Sequence, residues 1–499
     1  MCSSDLAFAR NQANIWATNQ LYNGLVQLDD DLNVQPCLAK RWGISDDGLT
    51  YTFYLRDDVY FHEDEAFGEA TTRLVTASDV AYSLGRIIDP AVGSPGSWIF
   101  KGRVAEQDPF VAQDDTTFVL TLAAPFRPML GILTMQYCSV VPREAVEAYG
   151  QDFRSHPVGT GPFRYKRWIE SQALFLQRNP AYWERSASGD SLPYLDAVRV
   201  NFITDRKTAY LEFRRGKLDY ISGIEASYVN ELLTPDGELH AQLTDEIQMI
   251  KSPYLNTEYL GIYQSLPDEH PLSDVRVRQA LNYGLDRDLM LRTLRNTVGR
   301  AADAGFVPRG LPTYSAEAVP GYSYQPDRAR SLLAAAGYPD GEGMPTLQLR
   351  TQADYLDLCN FAARQWQDLG IKVQVISMES ATLRNMMKQG QAAFFRASWI
   401  ADYPDAESFL VPFYGESPAP PNYTQFSSPE FDALYRDVVR TQVDSTRRSM
   451  YHAMDRIVVE QAPVVFLFYD ETAVFARADL EGLPRNAVNL LNLKQVRFK

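Results

Sequence analysis

The sequence predicts an α/β fold with mixed sheets distributed over more than one domain. Residues 346–398 alternate strand and helix patterns regularly, residues 7–250 are rich in strands and turns with helices set between them, and 499 residues is the length of two or three domains. With 45% hydrophobic residues and 22% charged, the chain has the composition of a globular protein with sizeable cores.

In the first half, Thr50 to Leu55 and Thr117 to Leu122 are dense in β-branched and aromatic residues and bounded by Asp or Gly, which predicts strands. Thr76-Ala77-Ser78-Asp79 has capping-box spacing ahead of Val80, Ala81 and Leu84, so a helix should begin there and end near Asp89-Pro90. Gly159-Thr160-Gly161-Pro162 looks like a phosphate loop, but no Lys-Ser or Lys-Thr follows and Phe163-Arg164-Tyr165 reads as a strand, so the nucleotide reading fails. The glycines suit a tight, close-packed crossing instead. The Ser- and Gly-rich stretch Arg185 to Pro193 is a loop.

The second half reads strand Thr346–Arg350, helix Tyr355–Leu369 closed by Gly370, and strand Ile371–Ile376. Ser380 then caps a helix through Met387 that stops at Gly390, and Ala392–Ser398 forms a third strand. Such a run implies parallel strands joined by right-handed crossovers. It places Arg396 on the third strand and Asp402 just beyond its carboxyl end, where ligands of open α/β sheets bind. Opposite charges six residues apart can hold a zwitterion by both ends, although a solvated ion pair is the plainer reading of such a pair.

The net charge of −15 and the lack of a basic stripe exclude a nucleic-acid partner, which needs clustered Lys and Arg. No run of 18 apolar residues exists to span a membrane as a helix. Cys2, Cys37, Cys138 and Cys359 form no CxxC pair, and the histidines His62, His156, His240, His270 and His452 are scattered without metal-ligand spacing, so no metal site is expected. Cys138 and Cys359 sit among apolar neighbours and read as buried thiols. Gly-x-Ser-x-Gly and His-Glu-x-x-His are absent, and Asp29, Asp30 and Asp31 read as solvated turn charges, so the chain is not expected to be an enzyme; a peptidase is the disfavoured alternative.

From end to end the chain resembles one family, the extracytoplasmic solute-binding proteins of peptide ABC importers (the oligopeptide- and dipeptide-binding class, family 5). The resemblance rests on the order and spacing of several blocks. These are Leu21-Tyr22-Asn23-Gly24-Leu25-Val26, Leu38-Ala39-Lys40-Arg41-Trp42, Gly48-Leu49-Thr50-Tyr51-Thr52-Phe53, Pro157-Val158-Gly159-Thr160-Gly161-Pro162-Phe163 and Asn179-Pro180-Ala181-Tyr182-Trp183. Pro271-Leu272-Ser273-Asp274-Val275-Arg276 through Tyr283 and Ala334-Ala335-Ala336-Gly337-Tyr338-Pro339 follow in the second half.

The resemblance implies a two-lobed periplasmic-binding-protein-like fold of the class II, cluster C type with an extra inserted domain. Domain I would take residues 7–45, 163–252 and 463–499, domain II would be the insertion 46–162, and domain III would run 253–462. Crossings near Ser252–Asn256 and Phe468–Asp470 would form the hinge of an interlobe cleft. It further implies a monomer without cofactor that captures short peptides and delivers them to ABC permease subunits; an oligosaccharide or a nickel chelate is the alternative ligand.

In peptide-binding relatives the Asp of a segment similar to Trp399-Ile400-Ala401-Asp402-Tyr403 anchors the peptide's α-ammonium, which gives that role to Asp402. The resemblance gives Arg396 a part in meeting the carboxylate end, and both assignments use charge-assisted hydrogen bonds. Trp399 would be a pocket wall or a core residue, and Tyr403 lines the same site. Pro404-Asp405 departs from the family's pattern and puts a second carboxylate where it would compete for the ammonium.

Family members are exported, and Cys2-Ser3-Ser4-Asp5-Leu6 matches the end of a common sequencing adapter read in one frame. A clipped start lacking its signal sequence is therefore expected, with Cys2 as the lipid-bearing cysteine of a lipoprotein the competing reading.

Overall fold

In the computed structural model, residues 12–223 and 228–499 are described. The expectations about Cys2 and the start of the chain fall outside them. The chain forms two compact units: unit 1 holds Met1–Ala226, Thr244–Ile250 and Val474–Lys499, and unit 2 holds Ser227–Leu243 and Lys251–Ala473. Unit 1 thus contains the residues expected for the insertion, and residues 463–473 lie with unit 2.

The strands are β1 (Val26–Leu28), β2 (Val34–Pro36), β3 (Ala39–Ile44), β4 (Thr50–Leu55), β5 (Phe110–Ala112), β6 (Thr117–Thr121), β7 (Phe163–Ile169), β8 (Ala173–Arg178), β9 (Ala197–Asn201) and β10 (Tyr220–Ser222) in unit 1. Next, β11 (Ile247–Ile262) carries the chain into unit 2. There follow β12 (Arg300–Ala301), β13 (Leu347–Thr351), β14 (Val373–Ser377) and β15 (Phe394–Ile400), and β16 (Val464–Arg477) carries it back.

Unit 1 is built on small antiparallel sheets, β3-β4-β6-β5 and β7-β8-β9, and β10 pairs with the last residues of β16. Strand β4 alternates half-buried and buried residues, and Tyr51, Phe53 and Leu55 point into the core. The helix Ala77–Ile88 starts where the capping box placed it: Thr76 N donates to Asp79 Oδ2 at 2.8 Å, and Val80, Leu84 and Ile87 form its buried stripe.

At the Gly159–Pro162 crossing the glycines are sterically required. A Cβ on Gly159 would lie 2.2 Å from the Leu21 carbonyl oxygen, and one on Gly161 would lie 2.4 Å from the Leu21 carbonyl carbon. His62 braces this crossing from the other side, with Nε2 3.0 Å from Gly161 O and Nδ1 accepting from Gly159 N at 3.4 Å. Only a neutral ring can donate at one nitrogen and accept at the other.

Burial holds the His62 pKa down at about 4, below the ordinary 6.5. The folded value is depressed, so the unfolded chain binds the proton more tightly. The stabilisation is full above pH 6.5 and is lost as pH falls through about 4, by up to about 3 kcal/mol. Urea unfolding of unit 1 at pH 7.5 and pH 4.5 should show that loss, and a His62→Gln variant should show a smaller one; equal slopes in both proteins would remove His62 from the acid response.

Unit 2 carries one mixed sheet in the order β16-β11-β15-β13-β14, with β12 paired antiparallel to β16. Strand β13 is parallel to both β14 and β15, as the alternating pattern predicts, and β11 runs antiparallel to β15 from Asn256 opposite Ile400 to Ile262 opposite Phe394. Fully buried Trp366 packs on Phe394 with ring centroids 5.9 Å apart, and Gly370 closes the intervening helix at φ +84°.

Most boundaries in this run shift by one or two residues. Glu379, not Ser380, caps the helix Ser380–Lys388, its Oε2 accepting from Ala381 N at 2.6 Å, because its longer carboxylate reaches the first free amides and complements the helix dipole. Strand β15 continues past Ser398 to Ile400, held by its pairing with β11, so Asp402 is the second residue beyond it. Cys37, Cys138 and Cys359 are free and buried, and burial pushes the Cys359 thiol up to about 11.

Candidate functional site

The loop from Ala401 to Ala406 joins β15 to the short helix Glu407–Leu410, and its fastenings come from the local sequence. Ala401 N donates to Leu255 O at 2.9 Å, continuing the β11 pairing for one residue. Asp402 N donates to Ser408 Oγ at 3.1 Å, and the Asp402 side chain is exposed. Half-buried Trp399 turns its indole back along the loop, where Nε1 donates to Ser408 O at 2.5 Å.

The residues after Asp402 face inward. Tyr403 is 4% exposed, and its hydroxyl donates to Glu407, which is fully buried and also accepts from the Tyr435 hydroxyl on the helix Pro429–Val438. Glu407 thus accepts one donor on each carboxylate oxygen, which is how a buried carboxylate is tolerated. Tyr403 belongs to the support of the loop rather than to its open face.

Asp405 was expected to compete for a ligand ammonium, and the structure corrects this. Its Oδ2 lies 2.7 Å from Arg447 Nη2, and its Oδ1 accepts from the Tyr451 hydroxyl at 2.7 Å and from Glu407 N at 3.0 Å. Arg447 and Tyr451 lie on the helix Asp444–Gln461. The second carboxylate is consumed in tying the loop to that helix.

Arg396 also departs from expectation. It is 4% exposed, its Nη2 is paired with Glu258 on β11, and its guanidinium carbon lies 3.1 Å from the Tyr355 ring centroid. Asn256 Nδ2 gives Glu258 a second hydrogen bond at 3.1 Å. Burial pushes the Glu258 carboxyl above its usual range against the opposing pull of Arg396. Arg396 is thus matched by a buried carboxylate in the sheet beneath the loop rather than standing open beside Asp402.

Of the residues expected at the site, the structure therefore presents Asp402 and part of Trp399 outward, and Arg396 and Tyr403 inward. Glu258, Glu407, Ser408 and Arg447 were missed. Only Glu407 and Ser408 lie close enough in sequence for a local signal, and an Asp-Ala-Glu-Ser run ahead of an apolar stretch is an ordinary helix start.

Unit 1 has a polar recess of its own with an empty volume of about 630 Å³, lined by residues that include Tyr22, Asn23, Gln136 and Lys494. Lys494 is buried there against Glu184, with Nζ 2.6 Å from Oε2, and donates to Gln27 Oε1 at 3.0 Å. The recess therefore offers hydroxyl and amide groups rather than a net charge.

The loop therefore carries an exposed carboxylate at the end of a mixed sheet, backed by buried polar networks. The family model for bacterial extracellular solute-binding proteins, family 5, matches residues 33–421, and the chain belongs to that family. It is the substrate-binding protein of an ABC importer, of an extracytoplasmic class whose members are binding proteins rather than enzymes. Among the described residues no helix is long and apolar enough to cross a membrane.

Heme-binding protein A of Haemophilus influenzae is 29% identical over 469 residues, covering 90% of this chain and 81% of that protein. The glutathione-binding protein GsiB of Shigella flexneri is 25% identical over 470 residues, covering 92% and 85%. The periplasmic binding protein DppA of Helicobacter pylori, solved in complex with the peptide STSA, superposes with a TM-score of 0.76 at 25% identity and covers 99% of this chain and 96% of its own.

Proposed function

We propose that this protein captures short peptides by their N-terminal ammonium and passes them, as a monomer, to a membrane permease. The observation that carries the reading is the placement of Asp402. Its carboxylate is exposed on the second residue beyond β15, on a loop whose backbone is fixed at Ala401 and Asp402. An anchored carboxylate meets an ammonium with a charge-assisted hydrogen bond, while main-chain pairing of an extended peptide adds affinity without reading its side chains. Trp399 supplies an apolar wall beside it.

Relatives that carry glutathione or the peptide STSA support the choice of a small peptide. Native mass spectrometry of the protein as purified should reveal a retained mass matching a peptide of a few residues; a retained sugar or chelate would overturn the reading. Two of the crossings between the units lie at Ile250–Lys251 and Ala473–Val474, within long strands, and the family resemblance makes these two a hinge. Small-angle scattering should then show a smaller radius of gyration at saturating peptide, and an unchanged radius would dismiss closure.

The heme-binding relative, 29% identical over nearly the whole chain, favours heme as a second reading. Titration with hemin separates the two, because bound heme shifts its absorbance maximum and a peptide site leaves the spectrum of free hemin unchanged.

A further inference from the structure

We propose that Ser408 is a positioning residue for the Asp402 anchor, an inference that rests on the ammonium-binding reading of Asp402 given above. Ser408 is 1% exposed, in the first turn of the helix that follows the loop. It holds the loop from both sides: Oγ accepts from Asp402 N at 3.1 Å, and the carbonyl oxygen accepts from Trp399 Nε1 at 2.5 Å. Its own amide donates to Asp405 O at 3.1 Å, and Asp405 is bound to Arg447 and Tyr451. Ser408 therefore connects the residue that bears the exposed carboxylate, through Asp405, to the helix Asp444–Gln461.

Local geometry gives the hydroxyl its role. Ala401 N is fixed by Leu255 O, so the hydroxyl fixes the next amide and with it the direction in which the Asp402 side chain leaves the backbone. A carboxylate held in one direction spends little conformational freedom when an ammonium arrives. Without the hydroxyl, Asp402 keeps its charge and its exposure but loses its aim. The expected consequence falls on recognition of the charged amine, not on peptide binding in general.

The test is calorimetry with trialanine and N-acetyl-trialanine on the full chain, as wild type, Ser408→Ala and Ser408→Cys, with thermal unfolding of each. Wild type should prefer the free amine. Ser408→Ala should weaken trialanine by about 5- to 30-fold, the worth of one hydrogen bond supporting a charged group, and leave the acetylated peptide unchanged. Ser408→Cys, which keeps the shape and a weak acceptor, should fall between them and guards against a folding defect in the Ala variant. If folded variants keep the full wild-type preference, the positioning role is overturned while the Asp402 anchor stands. If wild type binds both peptides equally, or neither, the anchor itself is overturned and this inference falls with it.

Discussion

Arg396→Ala is expected to destabilise unit 2 by about 3 to 5 kcal/mol, because it leaves the Glu258 carboxylate buried without its cation. Both side chains are 5% exposed, so water cannot take the place of the missing guanidinium. Against a total stability of about 5 to 15 kcal/mol this is a large fraction, and a calorimetric scan should place the melting of unit 2 lower by about 6 to 20 °C. The deficit should depend on pH. Glu258 is already raised by burial, and without Arg396 it is raised further, so the folded state holds the proton more tightly than the unfolded one. The loss is then small at acid pH and grows as pH rises through the folded value.

The pair is not an ideal one, which sharpens the test. Arg396 Nε is buried and has no hydrogen-bond partner among the described residues, so the guanidinium does not recover all that it loses on leaving water. Replacing both partners together, as Glu258→Gln with Arg396→Met, should therefore cost less than Arg396→Ala alone. A double variant as unstable as the single one would show that the damage lies in packing against Tyr355 rather than in the orphaned carboxylate.

How much of this was legible in the sequence follows from the range of each interaction. The capping box at Thr76, the helix stop at Gly370 and the parallel relation of β13 with its neighbours depend on residues within a few positions or on a repeating pattern, and all were readable. The cap at Glu379 was misplaced by one residue because adjacent Glu and Ser both carry a suitable oxygen, and only the backbone decides between them. Placing Asp402 beyond a sheet's carboxyl end needed only strand order.

The partners of the other charges were beyond local reading. Glu258 is 138 residues from Arg396 and meets it because β11 runs antiparallel to β15, a pairing that no local signal announces. Arg447 is 42 residues from Asp405 and reaches it from a helix whose docking is tertiary. Read locally, Arg396 and Asp405 looked available to a ligand. The fold pairs both of them within the protein, while the Asp402 side chain is exposed.

That division leads to the largest functional effect. Asp402→Asn keeps the size of the side chain and removes its charge, so an ammonium buried on binding loses its counter-charge; affinity for a free peptide should fall by about 2 to 5 kcal/mol, or about 30- to 4000-fold. The side chain is exposed and its amide bond to Ser408 does not depend on the carboxylate, and thermal unfolding of the variant separates a loss of binding from a loss of folding. An N-acetylated peptide should bind wild type weakly and lose little more in the Asn variant, since it has no charge to anchor. The two peptides and two proteins make a thermodynamic cycle in which the ligand supplies one partner. A coupling energy near the full single loss means that carboxylate and ammonium meet, and additive losses mean that they do not. Arg396→Lys adds a contrast in the same experiment. It keeps a cation beside Glu258 without the planar fork, and with Arg396 supporting the sheet it should weaken free and C-amidated peptides alike. A selective loss for the free carboxylate would return Arg396 to the ligand.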